Sequence, residues 1–160
     1  MGKTKNRAAP GSPEAARAAA HLTPLLRRNE QATVLAAALT ALGQLFANGT
    51  LNETDFAALE ARLAPCLFDT RPRVTAALTQ AAAHLPPRPH IERHLLATLA
   101  QDKRANAARA LISLRRRYPA GPALTATLHT RLEREPPHSP LARQIRACLH
   151  TLANGRQTPP

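Results

Sequence analysis

The sequence of 160 residues has little of what a β-sheet requires. It contains no Trp, one Tyr and three Phe, and Val and Ile together number five. β-branched and aromatic side chains pack best on a pleated, half-buried surface, so a sheet protein is nearly excluded. The sequence holds instead 34 Ala, 24 Leu and 19 Arg, which are among the strongest helix formers. The composition predicts an all-α protein of one domain.

Cysteines and long apolar runs are also scarce. Cys66 and Cys148 are too few for a disulfide framework, and no apolar run approaches the ~20 residues that span a bilayer. We expect an intracellular protein, cytoplasmic or nuclear, that does not bind membranes. The first 28 residues hold six Lys or Arg against Glu14 alone. No apolar stretch follows the basic start of the sequence, Met1 to Arg7, so we expect no secretory signal, while the excess of positive charge in the first 28 residues leaves organellar import as an alternative.

Fifteen prolines, together with capping residues, divide the sequence into about eight predicted helices. Pro24 and Pro65 predict interruptions or kinks. Asn48-Gly49 is typical of a helix end, and Asn52 with Asp55 resembles a capping arrangement. We expect residues 1–11 to form a flexible basic tail, residues 12–155 the helical domain and residues 156–160 a second tail.

The helices recur in pairs. The corners inside the four pairs are Asn29, Asp69, Asp102 and Pro136, spaced 40, 33 and 34 residues apart. The positions five, nine, twelve and sixteen residues after each corner are all apolar or small, although 44 % of the sequence is hydrophobic. These positions are Val34, Ala38, Ala41 and Leu45; Val74, Leu78, Ala81 and Leu85; Ala107, Leu111, Leu114 and Tyr118; and Leu141, Ile145, Cys148 and Leu152. A period of this size indicates a solenoid.

The second and third pairs carry a family resemblance. The second pair has Ala58-Leu59, Leu63 and Leu67, then Asp69, Pro72, Val74, Ala77-Leu78 and Leu85. The third has Leu95-Leu96, Leu99, Asp102, Ala107-Ala108, Ala110-Leu111 and Leu114, and lacks the proline. This pattern resembles the HEAT repeat over residues 13–155. The resemblance implies an α-solenoid of about four antiparallel helical hairpins, a fold that mostly serves as a binding scaffold.

Positive charge is the strongest functional signal. Lys and Arg number 22 against 10 Asp and Glu, which gives a net charge of +12. Second helices of a solenoid line one surface, so their guanidinium groups would form a stripe across neighbouring repeats. The guanidinium fork matches phosphate, and each neutralised phosphate releases counterions. The predicted nucleic-acid-binding residues are Arg73, Arg104, Arg109, Arg115, Arg116, Arg117, Arg143 and Arg146.

The predicted function is a non-catalytic module whose arginine face contacts the nucleic-acid backbone, either in duplex DNA or in structured RNA and ribonucleoprotein. Too few aromatic residues are present to stack unpaired bases. One alternative is a protein–protein adaptor or assembly factor that binds an acidic partner. Another is a HEAT-like glycosylase of alkylated DNA, an enzyme class that relies on aromatic residues around the damaged base.

No cofactor or metal site is expected. His90 and His94 share a helix face and could ligate zinc, but a surface histidine pair is the simpler interpretation. Asp69 and Asp102 occupy equivalent corners, which favours helix capping over catalysis. Cys66 and Cys148 are interpreted as core residues.

Overall fold

A computed structural model describes residues 13–27 and 29–157 of the chain. These residues form eight α-helices and two short 3-10 segments, and they contain no strand. The predicted all-α class is confirmed. The helices are α1 (Pro13–Leu22), α2 (Ala32–Ala47), α3 (Glu53–Leu63), α4 (Pro72–Ala81), α5 (Pro89–Gln101), α6 (Arg104–Arg117), α7 (Pro122–Arg134) and α8 (Pro140–Gln157). The predicted tail over residues 1–11 lies outside the described residues, as do residues 158–160.

Proline marks where most helices begin. The first residue of α1, α4, α5, α7 and α8 is a proline. Proline suits this position because its fixed φ is helical and the N–H that it lacks would have no partner in the helix. Pro24 and Pro65 lie in the 3-10 segments Thr23–Leu25 and Ala64–Phe68, which confirms the predicted interruptions.

The turn between α2 and α3 is determined by local side chains. Gly49 follows the helix with a φ of +81°, a conformation that glycine adopts without steric cost. The Asn48 Oδ1 atom accepts hydrogen bonds from the Thr50 N–H at 3.0 Å and the Thr50 hydroxyl at 2.6 Å. Asn52 and Asp55 form a reciprocal capping box, with N···O distances of 2.9 and 3.0 Å. The predicted cap is confirmed.

Two helix ends differ from the predictions. The apolar pattern predicts that the fourth helix continues to Leu85, but α4 ends at Ala81. Tighter turns follow it, in which His84 N–H donates to the Ala81 carbonyl at 2.9 Å, and Leu85 is nevertheless buried. The last helix is predicted to close at Asn154-Gly155 but continues to Gln157. An exposed helical glycine costs only about 1 kcal/mol, so the sequence signal there is weak.

The chain divides into two compact units between Pro87 and Arg88. In the first unit, α2 and α4 form the closest helix pair. A Cβ atom built on Gly43 would lie 3.0 Å from both the Cα and the Cβ of Ala81. The Phe46 and Phe56 rings meet edge to face, with centroids 5.6 Å apart. One close helix contact and one aromatic pair therefore add to a core that consists mostly of leucine and alanine side chains.

In the second unit, two helix pairs lie side by side. Helix α5 packs against both α6 and α7, and α8 packs against both α7 and α6. Ile91, Leu95 and Leu99 of α5 are buried among these helices. Each pair is a hairpin, since short connections join α5 to α6 and α7 to α8. None of the sixteen repeat positions, which are spread over both units, is solvent-exposed.

None of the helices in the described part of the chain combines the length and the apolar character needed to cross a membrane.

Candidate nucleic-acid interface

Most of the positive charge belongs to the second unit. Residues 88–160 contain thirteen Lys and Arg against four Asp and Glu, whereas residues 1–87 contain nine against six. Seven of the eight predicted site residues also belong to the second unit, and Arg73 is an exposed residue of α4 in the first. The candidate interface is therefore built on α6 and α8.

Three of the predicted arginines are held by intramolecular contacts. The Arg104 Nε lies 2.7 Å from a Glu135 carboxylate oxygen. Arg109 is half-buried and donates to the Asn106 side-chain oxygen at 2.8 Å. Arg146 donates to the Pro137 carbonyl at 2.7 Å. Part of the hydrogen-bonding capacity of each guanidinium group is therefore already used, and Glu135 offsets the charge of Arg104.

Arg115, Arg116 and Arg143 are more available. All three are exposed, and none of their guanidinium groups makes a hydrogen bond or an ion pair within the described residues. Arg117 is also exposed and has an intramolecular interaction. Arg115 and Arg116 line a groove together with Gln144 and Cys148 of α8, which we call the α6/α8 groove. The contact between the two helices thus brings together residues that are far apart in the sequence.

Arg131 is a buried arginine that the sequence analysis did not single out. It is 5 % exposed and donates to the carbonyls of Leu99, at 3.3 Å, and Asp102, at 2.6 Å. Its Nε lies 3.1 Å from the Glu135 carboxylate. The sequence signal was an arginine three residues after Leu128 on the apolar face of α7, followed four residues later by a glutamate. Arg131 is therefore structural and connects α7 to the end of α5.

Glu135 is the carboxylate with which both Arg104 and Arg131 form ion pairs. Burial raises the pKa of its carboxyl group, but hydrogen bonds from Arg104 and Ser139 and the charge of Arg131 outweigh that effect. The pKa of Glu135 is therefore lower than usual, and the carboxylate stays ionised. Ser139 also accepts a hydrogen bond from the Ala142 N–H at 3.0 Å, so the predicted start of α8 at Ser139-Pro140 is confirmed.

Neither corner aspartate occupies the N-cap position that was predicted, although Asp69 accepts from a backbone N–H at the start of α4. The residues at the N-cap positions of α4 and α6 are Arg71 and Lys103, and neither makes a side-chain cap. Asp69 pairs instead with the Arg71 guanidinium, at 2.6 Å, and accepts from the Arg71 N–H at 3.0 Å. Asp102 accepts from the Asn106 amide at 3.3 Å. Each corner is held by side-chain partners that helix periodicity does not reveal.

The only tyrosine of the sequence is also structural. The Tyr118 hydroxyl accepts from the Arg88 N–H at 3.2 Å and lies 3.4 Å from the Arg88 carbonyl, to which it donates. These bonds connect the end of α6 to the residue before α5. Tyr118 is also half-buried, so its ring is less available for stacking on a nucleic-acid base than an exposed ring would be.

His90 and His94 are half-buried, so the interpretation as a surface pair is wrong. Helix α5 is covered by both α6 and α7, which buries positions that its own sequence leaves polar. The His94 Nε2 atom is buried and has no hydrogen-bond partner among the described residues. No group of three or more His, Cys, Asp or Glu side chains that could hold a metal ion occurs among those residues either.

His94 makes the stability of the second unit depend on pH. Burial lowers its pKa from the ordinary value of 6.5, while Asp102 opposes this in part. The unfolded chain therefore binds a proton more readily than the folded chain, and stability is lost as pH falls through the unfolded pKa. We expect the urea midpoint of unfolding, followed by Tyr118 fluorescence, to decrease as the pH is lowered from neutral to about 5. His94→Gln should remove this decrease of the urea midpoint at low pH. His129→Gln, a change at an exposed site of α7, should leave it in place.

Comparisons of the chain with protein-family models, with curated proteins and with solved structures gave no match.

Proposed function

We propose that the protein is a non-catalytic helical-repeat module that contacts the nucleic-acid backbone through the arginines of α6 and α8. The observation that carries this proposal is the presence of exposed guanidinium groups without intramolecular bonds, Arg115, Arg116 and Arg143, on two contacting helices. These helices belong to the unit with most of the positive charge.

The chemistry of these residues favours phosphate over bases. A guanidinium group presents a planar fork of donors that matches two phosphate oxygens, and binding releases counterions from the polymer. With Tyr118 bonded to Arg88, α6 and α8 offer no Phe, Tyr or Trp side chain among their described residues for stacking on a base. We therefore propose duplex DNA, or structured RNA and ribonucleoprotein, as the ligand class.

We also propose that the hairpins are HEAT-like repeats of an α-solenoid. Two observations support this. The sixteen repeat positions are at least half-buried. In the second unit, α5 of one hairpin packs against α7 of the next, and α6 packs against α8. The two cysteines are unpaired, which supports a reducing intracellular location within this proposal.

The test is a double charge reversal with a matched control. Arg109→Glu with Arg143→Glu should weaken binding to duplex DNA and to structured RNA at low salt. It should also reduce the slope of log K against log salt by about 2, since each lost phosphate contact removes about 0.9. Arg17→Glu with Arg62→Glu changes the net charge equally at exposed sites of the first unit and should have a much smaller effect.

Three results would contradict the proposal. The first is the absence of detectable binding of the unmodified protein at low salt. The second is an equal loss of affinity in the two double variants, which would indicate attraction by net charge alone. The third is release of an alkylated base from DNA by the purified protein, which would show that the module is an enzyme.

A further inference from the structure

The α6/α8 groove is an apolar surface within a basic unit. It has a volume of about 340 Å³ and is lined by Ala108, Leu111, Ile112, Arg115 and Arg116 of α6 and by Gln144 and Cys148 of α8. Ala108, Ile112 and Arg115 follow the spacing i, i+4 and i+7, so they lie along one side of α6, where Ala108 and Ile112 form an apolar strip that ends at Arg115. Gln144 and Cys148 have the same spacing of four on α8. The groove therefore runs along two helices and is more than a local depression.

Ile112 exposes an unusually large apolar surface in the groove. It is 56 % exposed, and only it and Phe68 are large exposed hydrophobic side chains in the described part of the chain. Ala108 and Cys148 beside it are half-buried. An isolated exposed isoleucine is ordinary, but an isoleucine that forms one wall of a groove offers an anchor point for a partner side chain.

The charged residues that line the groove, Arg115 and Arg116, are both basic. Arg115 and Arg116 are exposed, and their guanidinium groups make no hydrogen bond or ion pair within the described residues. None of the described residues that line the groove is acidic. Arg115 lies near enough to Cys148 for its charge to offset part of the burial that raises the pKa of that thiol. The guanidinium group of Arg115 and the apolar strip therefore belong to the same site.

We propose that the α6/α8 groove binds an acidic, amphipathic helical segment of a partner protein. The apolar face of the segment would lie against Ile112, and its carboxylates would face Arg115 and Arg116. A phosphate backbone fits this groove less well, because its oxygens gain nothing from Ile112 and lose hydration beside it. This inference competes with the proposed nucleic-acid function for Arg115 and Arg116, but the two are tested separately, because Arg109 and Arg143, the test residues of the nucleic-acid proposal, do not line the groove.

Cys148 provides a direct reporter of occupancy. Its thiol is half-buried in the groove, whereas Cys66 is 1 % exposed and serves as an internal reference. The probe is a synthetic helical peptide with leucines at i, i+4 and i+7 and glutamates on both flanks. Saturation of the full chain with this peptide should slow labelling of Cys148 by a thiol reagent several-fold and leave Cys66 unchanged. The same peptide with lysines in place of the glutamates should not protect Cys148.

Variants of the groove separate its apolar and charged contributions. Ile112→Asp should weaken peptide affinity, measured by fluorescence anisotropy, by about tenfold or more, as loss of a central anchor does. Ile112→Leu should retain the affinity. Arg115→Glu with Arg116→Glu should abolish binding of the acidic peptide and create binding of the lysine peptide. Because Ile112, Arg115 and Arg116 are exposed, these variants should keep the helical content of the unmodified protein.

Three outcomes would overturn the inference. The first is equal protection of Cys148 by the acidic and the lysine peptides. The second is unchanged affinity of the Ile112→Asp variant for the acidic peptide. The third is protection of Cys148 by duplex DNA but not by the acidic peptide, which would assign the groove to nucleic acid. Failure of the nucleic-acid proposal is measured separately, by Arg109→Glu with Arg143→Glu.

Discussion

Replacement of Arg131 by methionine should lower the free energy of unfolding of the second unit by about 3 kcal/mol, the lower end of the range for a broken buried ion pair. The substitution leaves the Leu99 and Asp102 carbonyls without this donor and removes one cation from Glu135. The effect is expected at the lower end because Arg104 and Ser139 still bond to Glu135. Tyrosine fluorescence during urea unfolding reports this unit, since Tyr118 is the only tyrosine and Trp is absent.

Arg134 offers the matched control for Arg131. It lies three residues further along the same helix and donates to the Ala100 carbonyl at 2.9 Å, but it is exposed. Arg134→Met should change stability by no more than about 0.5 kcal/mol, because water replaces the lost donor. Equal effects of the two substitutions would show that Arg131 acts only through its net charge and that its buried contacts contribute little.

The second large effect is expected at Phe56 in the first unit. Phe56 is 0 % exposed and contacts the Phe46 ring edge to face. Phe56→Ala should lower the free energy of unfolding by about 3–5 kcal/mol, because it removes buried apolar area and leaves a cavity. Far-UV circular dichroism during urea unfolding measures this loss of stability.

Phe68 is the control for the same change of side chain. It is 70 % exposed at the end of a 3-10 segment, so Phe68→Ala should alter stability by no more than about 0.5 kcal/mol. A loss at Phe68 as large as that at Phe56 would mean that the exposed ring packs against another part of the folded protein. The burial assigned to the two rings would then be wrong.

Helix ends that depend on neighbouring residues were predictable from the sequence. The Asn52–Asp55 capping box and the helix stop at Gly49 use atoms no more than a few residues apart. The prolines likewise act on their own backbone, and most of the helices begin at one. These signals fixed the number of helices and the all-α class. The local signals for a helix end were weaker at Ala81 and Gly155, where no side chain forces the helix to end, and the ends of α4 and α8 were therefore mispredicted.

Contacts between distant residues were not predictable in this way. Arg131 bonds to carbonyls 29 and 32 residues earlier, and its sequence neighbours do not reveal them. The same difficulty applies to the candidate interface. Arg104 and Arg143 look alike in the sequence, but the Arg104 guanidinium pairs with Glu135, whereas the Arg143 guanidinium has no partner among the described residues. The sequence identified the basic residues, and the fold determines which of them are available to a ligand.

The approach of α2 to α4 limits how the first unit can vary. A Cβ atom at position 43 would meet the Cα and Cβ of Ala81, and no rotation of a side chain relieves that clash because neither atom can turn aside. Any other residue at position 43 requires the two helices to separate by a few tenths of an ångström at this point. Because part of the contact is with the Cα atom, a smaller residue at position 81 would not remove it, so the close approach itself selects glycine at position 43.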